Sequence, residues 1–153
     1  MQQQLKVSWL ALVVVLGCGR SLPYQGRTVA ELEQMLADPA PTVRVQGAYG
    51  LSLLGPAAAP AVPALVQALQ SPDALLRMQA ALALGRIGLP ARDAVPHLVN
   101  ALSDPEWTVR RQAALALREI GPEEGATGDA LRRLQRDDPN GQVRKAAQQA
   151  LAR

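Results

Sequence analysis

The sequence predicts an all-α solenoid of about four helical-hairpin repeats, and three observations lead to this fold class. Ala61–Leu69 reappears almost unchanged as Ala94–Leu102, a shift of 33 positions. Gln79–Gly88 reappears as Gln112–Gly121 at the same shift. Aromatic residues make up only 3% of the chain and Phe is absent, so the core must consist of Ala, Leu and Val, which suit closely packed helices. A repeat of this length is typical of a solenoid, in which each unit buries its apolar face against its neighbours.

The N-terminal segment Met1–Gly17 is predicted to be an export signal. Lys6 precedes the apolar run Val7–Leu16, which is shorter than the roughly 20 residues that cross a bilayer and has the length of a signal-peptide core. The run leads into Val15-Leu16-Gly17-Cys18, which resembles the lipobox of bacterial lipoproteins. This resemblance implies that Cys18 becomes the first mature residue and carries lipid. Two other interpretations stay open: plain cleavage at a small-residue site, and a buried apolar N-terminal helix.

The mature chain is predicted to contain a short anchor segment and one repeat domain. Residues 18–27 are expected to be the lipidated Cys18 and an unstructured polar tether, and residues 28–153 the domain. The four repeats are predicted at 28–60, 61–93, 94–125 and 126–153, each with two antiparallel helices, A and B. The first helix of the last repeat, around Thr127–Arg136, is polar and out of phase, as expected of a terminal repeat.

The A helices are predicted from apolar residues at spacings of three and four, which form one stripe. These residues are Val29, Leu32 and Leu36, then Val62, Leu65 and Leu69, then Val95, Leu98 and Leu102. Pro63 and Pro96 are expected in the first helical turn, where a missing N–H costs nothing. Four Asp-Pro or Ser-Pro pairs, at 38–39, 71–72, 104–105 and 138–139, are expected to cap helix B and to begin its first turn.

The B helices show the clearest register, because equivalent positions are apolar or small in every repeat. The predicted inward positions are Val43/Leu76/Val109/Val143, Gly47/Ala80/Ala113/Ala147, Leu51/Leu84/Leu117/Leu151 and Leu54/Ile87/Ile120. Ala48, Ala81 and Ala114 flank this face and allow adjacent B helices to approach closely. Helix B is expected to end at a glycine, the usual role of this residue after a last turn. These glycines are Gly55, Gly88 and Gly121.

The pattern Asp-Pro-x-x-x-Val-Arg-x-x-Ala-Ala-x-Ala-Leu-Gly-x-Ile-Gly resembles HEAT repeats of the short type named after phycobilisome lyases. The resemblance covers residues 28–153 and implies a right-handed α–α superhelix with the B helices on its concave side. It also implies hydrogen bonds between the motif Asp and Arg of neighbouring repeats. The residues concerned are Asp38, Asp104 and Asp138 with Arg44, Arg77, Arg110 and Arg144. Ser71 occupies the second Asp position, and Asp73 is expected to act in its place.

The face of helix B opposite the core is predicted to be the partner-binding surface. At about 100° per residue, this face combines apolar side chains with arginines. The predicted binding residues are Tyr49, Met78, Leu82, Arg111, Leu115 and Arg118, accompanied by Val45, Ser52, Gly85, Lys145 and Gln149. Exposed apolar patches beside charge often mark protein contacts. The other interpretation is that a thin solenoid exposes some Leu and Met residues without binding anything.

No catalytic, cofactor-binding or metal-binding residue is predicted. A di-iron enzyme of the HEAT type needs several His–Glu pairs, and His97 is the single histidine of the chain. Two alternative functions stay open. The first, by family analogy, is a lyase-like or oxidoreductase-related accessory protein. The second is nucleic-acid binding through the basic residues Arg132, Arg133, Arg136, Arg144 and Lys145, although few aromatic side chains are present for base stacking.

The sequence as a whole predicts a non-catalytic, monomeric scaffold for protein–protein interaction. Cys18 would anchor it by lipid to a bacterial envelope membrane on the periplasmic side, and Gly19 after the cysteine favours the outer membrane by family analogy. The expected partner is a protein or peptide on the concave face. No cofactor and no nucleic acid are expected.

Overall fold

A computed structural model describes residues 22–121 and 125–152, and this part of the chain contains helices and turns but no strand. The helices are α1 Val29–Leu36, α2 Pro41–Leu54, α3 Val62–Ala68, α4 Ala74–Ile87, α5 Val95–Ala101, α6 Trp107–Ile120, α7 Ala126–Asp137 and α8 Gly141–Leu151. Two 3-10 segments, Gly55–Ala61 and Leu89–Ala94, lead into α3 and α5. The prediction of an all-α solenoid is confirmed.

The helices form two layers, and the helices of one layer pack against each other more closely than those of the other. We call α1, α3, α5 and α7 the A helices, and α2, α4, α6 and α8 the B helices. Each B helix packs extensively on the next B helix and on the A helix of its own hairpin, whereas contacts between A helices are sparse. Each hairpin is therefore stabilised mainly by its neighbours through the B layer, as expected of a repeat array.

The predicted inward register of the B helices is correct at almost every position. Leu51, Leu84 and Leu117 are fully buried, as are the small residues one turn earlier. Leu54 is 37% exposed, and Val43 and Leu151 are only half-buried. All three lie in outer B helices, α2 and α8, where one flank has no neighbouring B helix among the described residues.

The ends of the helices agree with the glycine and proline signals. Gly55, Gly88 and Gly121 follow the B helices with positive φ angles of 55°, 72° and 150°, so their predicted role as helix stops is confirmed. Pro63 and Pro96 lie in the first turns of α3 and α5, as predicted.

The predicted start of the B helices was wrong by two residues in each repeat. The side-chain oxygen of each Asp or Ser accepts the backbone N–H two residues later and so closes a turn before the helix. These bonds join Asp38 to Ala40, Ser71 to Asp73, Asp104 to Glu106 and Asp138 to Asn140. The N-cap of each B helix is the residue that donates this N–H, not the Asp or Ser that accepts it. The helix begins one residue after the N-cap.

Close approach of the B helices requires small residues at particular positions. A Cβ atom on Gly85 of α4 would lie 2.9 Å from the Cα atom of Ala116 on α6. A Cβ atom on Gly47 of α2 would lie 2.8 Å from the carbonyl oxygen of Leu32 on α1. A side chain at either position would force the backbones apart.

The segment before α1 is not an unstructured tether over its described part. Pro23–Gly26 form a turn, in which the Gln25 N–H donates to the Leu22 carbonyl at 2.8 Å. The ring of Tyr24 meets the ring of Tyr49 edge to face, with 5.1 Å between centroids and 77° between planes. The prediction is therefore corrected for residues 22–27. The predicted signal and Cys18 lie outside the described residues.

One helical stretch, Pro41–Ala68, is long and apolar enough to cross a membrane by length and composition alone. It is built from α2, a 3-10 segment and α3, and its residues Leu51 and Leu65 are buried in the helical array. Of the most apolar part of this stretch, 39% is buried inside the array.

Replacing Leu84 with Glu is expected to unfold the array. The side chain at this position has no exposed surface, so the free energy of unfolding should fall by about 4 kcal/mol or more because an unpaired carboxylate would enter the core. The matched control is Leu75→Glu in the same helix, where the side chain is 51% exposed and the change should stay within about 0.5 kcal/mol. Urea denaturation followed by circular dichroism measures both. Equal loss in the two variants would contradict the assigned faces of α4.

Candidate functional site

The predicted binding residues lie on the B-helix surface, by which we mean the side of the B helices turned away from the A helices. All six of Tyr49, Met78, Leu82, Arg111, Leu115 and Arg118 are half-buried, so the expectation of a fully exposed strip is corrected. The reason is that neighbouring B helices cover both flanks of each inner B helix.

Two residues assigned to this surface, Ser52 and Gly85, are in fact buried. Ser52 retains only 6% exposure, and its hydroxyl donates to the carbonyl of Tyr49 at 2.7 Å. Gly85 packs against Ala116 of the next B helix. Arg118 holds the equivalent position in α6, where its Nε donates to the carboxylate of Glu119 at 3.0 Å.

Several exposed residues of the B helices were missed by the sequence reasoning. Leu53 and Leu75 are more than half exposed, and Arg86 and Glu119 are exposed as well. The repeat register contained a signal, because positions 53, 86 and 119 are equivalent and lie four residues after the predicted positions 49, 82 and 115. Four residues along a helix return to the same face.

A groove of about 580 Å³ lies between α4 and α6, and we call it the B-helix groove. Leu82 and Leu115 supply its large apolar side chains. Its charged lining consists of Arg86, Arg111, Arg118 and Glu119. The groove therefore unites four of the six predicted residues and carries more positive than negative side chains. The other two, Tyr49 and Met78, do not line it, and Tyr49 contacts Tyr24 instead.

A second set of polar contacts, formed by arginine, links the second hairpin to the third and the third to the fourth. In Arg77, Nη1 donates to the carbonyls of Ser71 and Pro72 at 2.8 and 3.1 Å, both in the turn of its own hairpin. Its Nε and Nη2 donate to the two carboxylate oxygens of Asp104, in the next hairpin, at 2.7 and 2.9 Å. Arg110 repeats this arrangement with Asp138, at 2.6 and 3.1 Å. The expected hydrogen bonds between repeats are confirmed for these two pairs.

Arg44 has only half of this arrangement. Its Nη1 donates to the carbonyls of Asp38 and Pro39 at 2.9 and 3.0 Å, but within residues 22–121 and 125–152 no carboxylate bonds to it. The expectation that Asp73 acts in place of the missing aspartate was wrong. The carboxylate of Asp73 accepts the N–H of Leu75 instead and caps α4.

The ionic links shift the pKa values of the aspartates that form them. Burial of Asp104 opposes ionisation, but hydrogen bonds from Arg77 and from the Glu106 N–H outweigh this effect, so the pKa of Asp104 is lowered. The pKa of Asp138 is lowered in the same way, with burial offset by Arg110 and the Asn140 N–H. Both aspartates are therefore ionised partners of arginine at neutral pH.

The remaining residues with possible chemistry are dispersed. His97 is half-buried in the first turn of α5, and the described part of the chain contains no group of three His, Cys, Asp or Glu residues that could hold a metal ion. In the basic C-terminal cluster, Arg132 pairs with Asp129 at 2.7 Å and Arg136 lies 3.9 Å from Asp137. These acids neutralise part of the positive charge there.

Successive helical hairpins, joined by close B-helix packing and repeated arginine links, define an α-solenoid repeat protein. A comparison with protein families matches HEAT repeats over residues 29–92 and 89–152. The chain belongs to the HEAT-repeat family.

The chain is also similar to two solved structures, each described as the crystal structure of an engineered protein. The first is 26% identical with a TM-score of 0.67, and the match covers 80% of this chain and 60% of that one. The second is 27% identical with a TM-score of 0.67, and the match covers 80% of this chain and 36% of that one. The chain thus spans less than two thirds of either engineered protein. A search of curated proteins finds no match.

Replacing Asp104 with Asn is expected to destabilise the array and to reduce its sensitivity to acid. Loss of the charged partner of Arg77 should lower the free energy of unfolding by about 2–3 kcal/mol. The folded pKa of Asp104 lies below its unfolded value of about 3.9, so its contribution is complete above that pH and is lost as the pH falls through the folded pKa. Urea titrations between neutral pH and pH 3 should show a smaller acid loss for Asp104→Asn than for the wild type. An equal acid loss would contradict the role of this pair.

Proposed function

We propose that the protein is a non-catalytic scaffold that binds a protein or peptide partner in the B-helix groove. The observation that carries the proposal is the combination of Leu82 and Leu115 with three arginines in one groove of about 580 Å³. Arginine is enriched in protein interfaces, and apolar patches beside charge mark contact sites. HEAT-repeat proteins commonly bind protein partners, which agrees with this assignment.

The groove favours a peptide with apolar and acidic side chains. Three arginines and one carboxylate line the groove, and Arg118 pairs with that carboxylate, Glu119. The positive charges of Arg86 and Arg111 remain, so the groove is complementary to negative charge. On α6 the groove lining runs from Arg111 to Glu119, which corresponds to about 12 Å along the helix. An extended peptide of about four residues spans this distance.

Nucleic acid fits this surface less well than a peptide. The larger side chains that line the groove without charge are aliphatic or amide, so bases would lack a stacking platform there. Tyr49, the aromatic residue of the predicted site, is engaged with Tyr24.

We further propose that Cys18 carries the lipid of a bacterial lipoprotein and holds the scaffold on the periplasmic side of an envelope membrane. Support comes from the short apolar run that ends at the lipobox-like residues Val15–Cys18. Leu22, which precedes the turn that carries Tyr24, follows the cysteine by four positions. It would therefore lie within about 14 Å of the anchor. The first hairpin would then be the part of the array closest to the membrane, and an outer-membrane location is the favoured one.

Replacing Leu82 with Glu is expected to abolish partner binding while the array stays folded. The added carboxylate would place a negative charge among the groove lining and oppose an acidic partner. Arg86→Glu, at an exposed position of the same groove, should reduce binding by about tenfold, the effect of losing roughly 1.4 kcal/mol. Quantitative mass spectrometry of proteins cross-linked to the tagged full-length chain in the envelope measures both.

The matched control for this experiment is Leu89→Glu, since Leu89 is 64% exposed in a 3-10 segment and does not line the groove. The control should retain the cross-linked partner. Loss of the partner in all three variants, or retention in all three, would show that the B-helix groove is not the binding site.

Replacing Cys18 with Ala is expected to abolish lipid attachment and membrane retention. The wild-type protein expressed in a bacterium should have a mature mass that begins at Cys18 with added acyl chains, and it should partition into detergent. The variant should lack the acyl mass, because the sulfur that accepts the lipid is gone. An unmodified wild-type chain that begins at Met1 would overturn the localisation.

A further inference from the structure

A second groove, of about 610 Å³, lies on the opposite layer, between the first two hairpins. The A helices α1 and α3 supply most of its lining, with apolar contributions from Leu36, Ala64 and Ala68. Arg44 and Ser71 also line it. The groove shares no lining residue with the B-helix groove, so what it binds is independent of the function proposed above.

Arg44 is held in this groove in the same way as the two arginines that bind carboxylates. Its Nη1 bonds to two carbonyls of its own turn, as Nη1 does in Arg77 and Arg110. These bonds fix a planar guanidinium, so its Nε and Nη2 edge is directed toward the next hairpin. In the other two arginines this edge donates two hydrogen bonds to one aspartate.

Ser71 stands where the next hairpin would supply that aspartate to Arg44. Ser71 retains one of the two roles that the aspartate has in the other repeats, because its Oγ accepts the Asp73 N–H at 3.1 Å and closes the turn. It lacks the second role, because a hydroxyl carries no negative charge and has no second oxygen. Over the described ranges, the Nε and Nη2 of Arg44 donate to no protein acceptor.

We propose that this edge of Arg44 is a binding site for the side-chain carboxylate of an acidic peptide from a partner protein. The carboxylate would take the position that Asp104 and Asp138 take beside Arg77 and Arg110. The apolar residues of the groove would contact the methylene groups of the peptide, and the Gln67 amide could bond to its backbone.

A carboxylate suits this site better than a phosphate. Two coplanar oxygens match the two parallel donors of a guanidinium edge, as the equivalent pairs in this chain show at 2.6–3.1 Å. Glu33 also lines the groove, and its negative charge would repel a dianion more strongly than a single carboxylate.

The test uses the purified full-length protein in detergent and two peptides with blocked ends. The first peptide has the sequence Leu102–Trp107 with Gln in place of Glu106, so that its one carboxylate is that of the aspartate that binds Arg77. The second peptide differs from the first in having Asn in place of that aspartate. The Arg44 Nε–H resonance in nitrogen-15 NMR spectra reports binding. The first peptide should shift this resonance in a saturable manner, and neither the second peptide nor inorganic phosphate should do so.

The variant Ser71→Asp keeps the fold and occupies the site from within the chain. It should shift the Arg44 Nε–H resonance without peptide, abolish the response to the peptide and raise the Tm by about 2–4 °C. The matched control is Ser103→Asp, the same change at an exposed position, which should keep the peptide response.

Three results would overturn the proposal: an equal response to the Asn peptide, a response to phosphate that exceeds that to the Asp peptide, or a response that survives Ser71→Asp. Leu82→Glu should leave this titration unchanged, so failure here is distinguishable from failure of the B-helix groove.

Discussion

The structure depends most on a single guanidinium that bonds in two directions. One nitrogen of Arg77 binds two carbonyls of its own turn, and its other edge binds both oxygens of Asp104 in the next hairpin. Arginine suits this task because its donors lie in one rigid plane, whereas a lysine ammonium could not hold both partners in fixed geometry. The position of one turn relative to the next is therefore specified by charge-assisted bonds, and the B helices then pack at the distance that Gly85 and Ala116 allow.

This arrangement determines which surfaces remain for binding. The B helices use both flanks and one face for packing, so a narrow strip stays accessible, and the groove between α4 and α6 lies on it. The first three A helices are shorter than the B helices of their hairpins and the A helices touch each other little, which leaves a groove between α1 and α3 on the other layer. In α4 and α6, one flank is covered by the preceding B helix. In α2, Tyr24 covers the corresponding flank, beside Tyr49.

The sequence predicted the buried register correctly at positions that recur in every repeat. It did not predict features that depend on packing between helices or on a choice between two hydrogen-bond partners. Equivalent residues such as Leu51, Leu84 and Leu117 revealed the core register, because one helical period recurs in every repeat. A helical wheel assumes one buried side, so it could not show that Ser52 is buried or that Gly85 packs against Ala116 of the next B helix. Local patterns also gave no sign that Tyr24 docks, since that contact is tertiary. Asp73 could have bound Arg44 or capped α4, and the choice depends on geometry that spacing does not contain.

Because position 71 is Ser and not Asp, the contacts between successive hairpins differ along the array. Between α4 and α6, and between α6 and α8, apolar packing is supplemented by a bidentate ionic link. Between the first two hairpins the described residues provide apolar packing alone, so this junction should open more readily than the others. A carboxylate bound to Arg44 would contact both hairpins and would stabilise the closed junction by mass action. Occupancy of the site would thus rigidify the hairpin that, in the proposed lipoprotein, lies nearest to the membrane anchor.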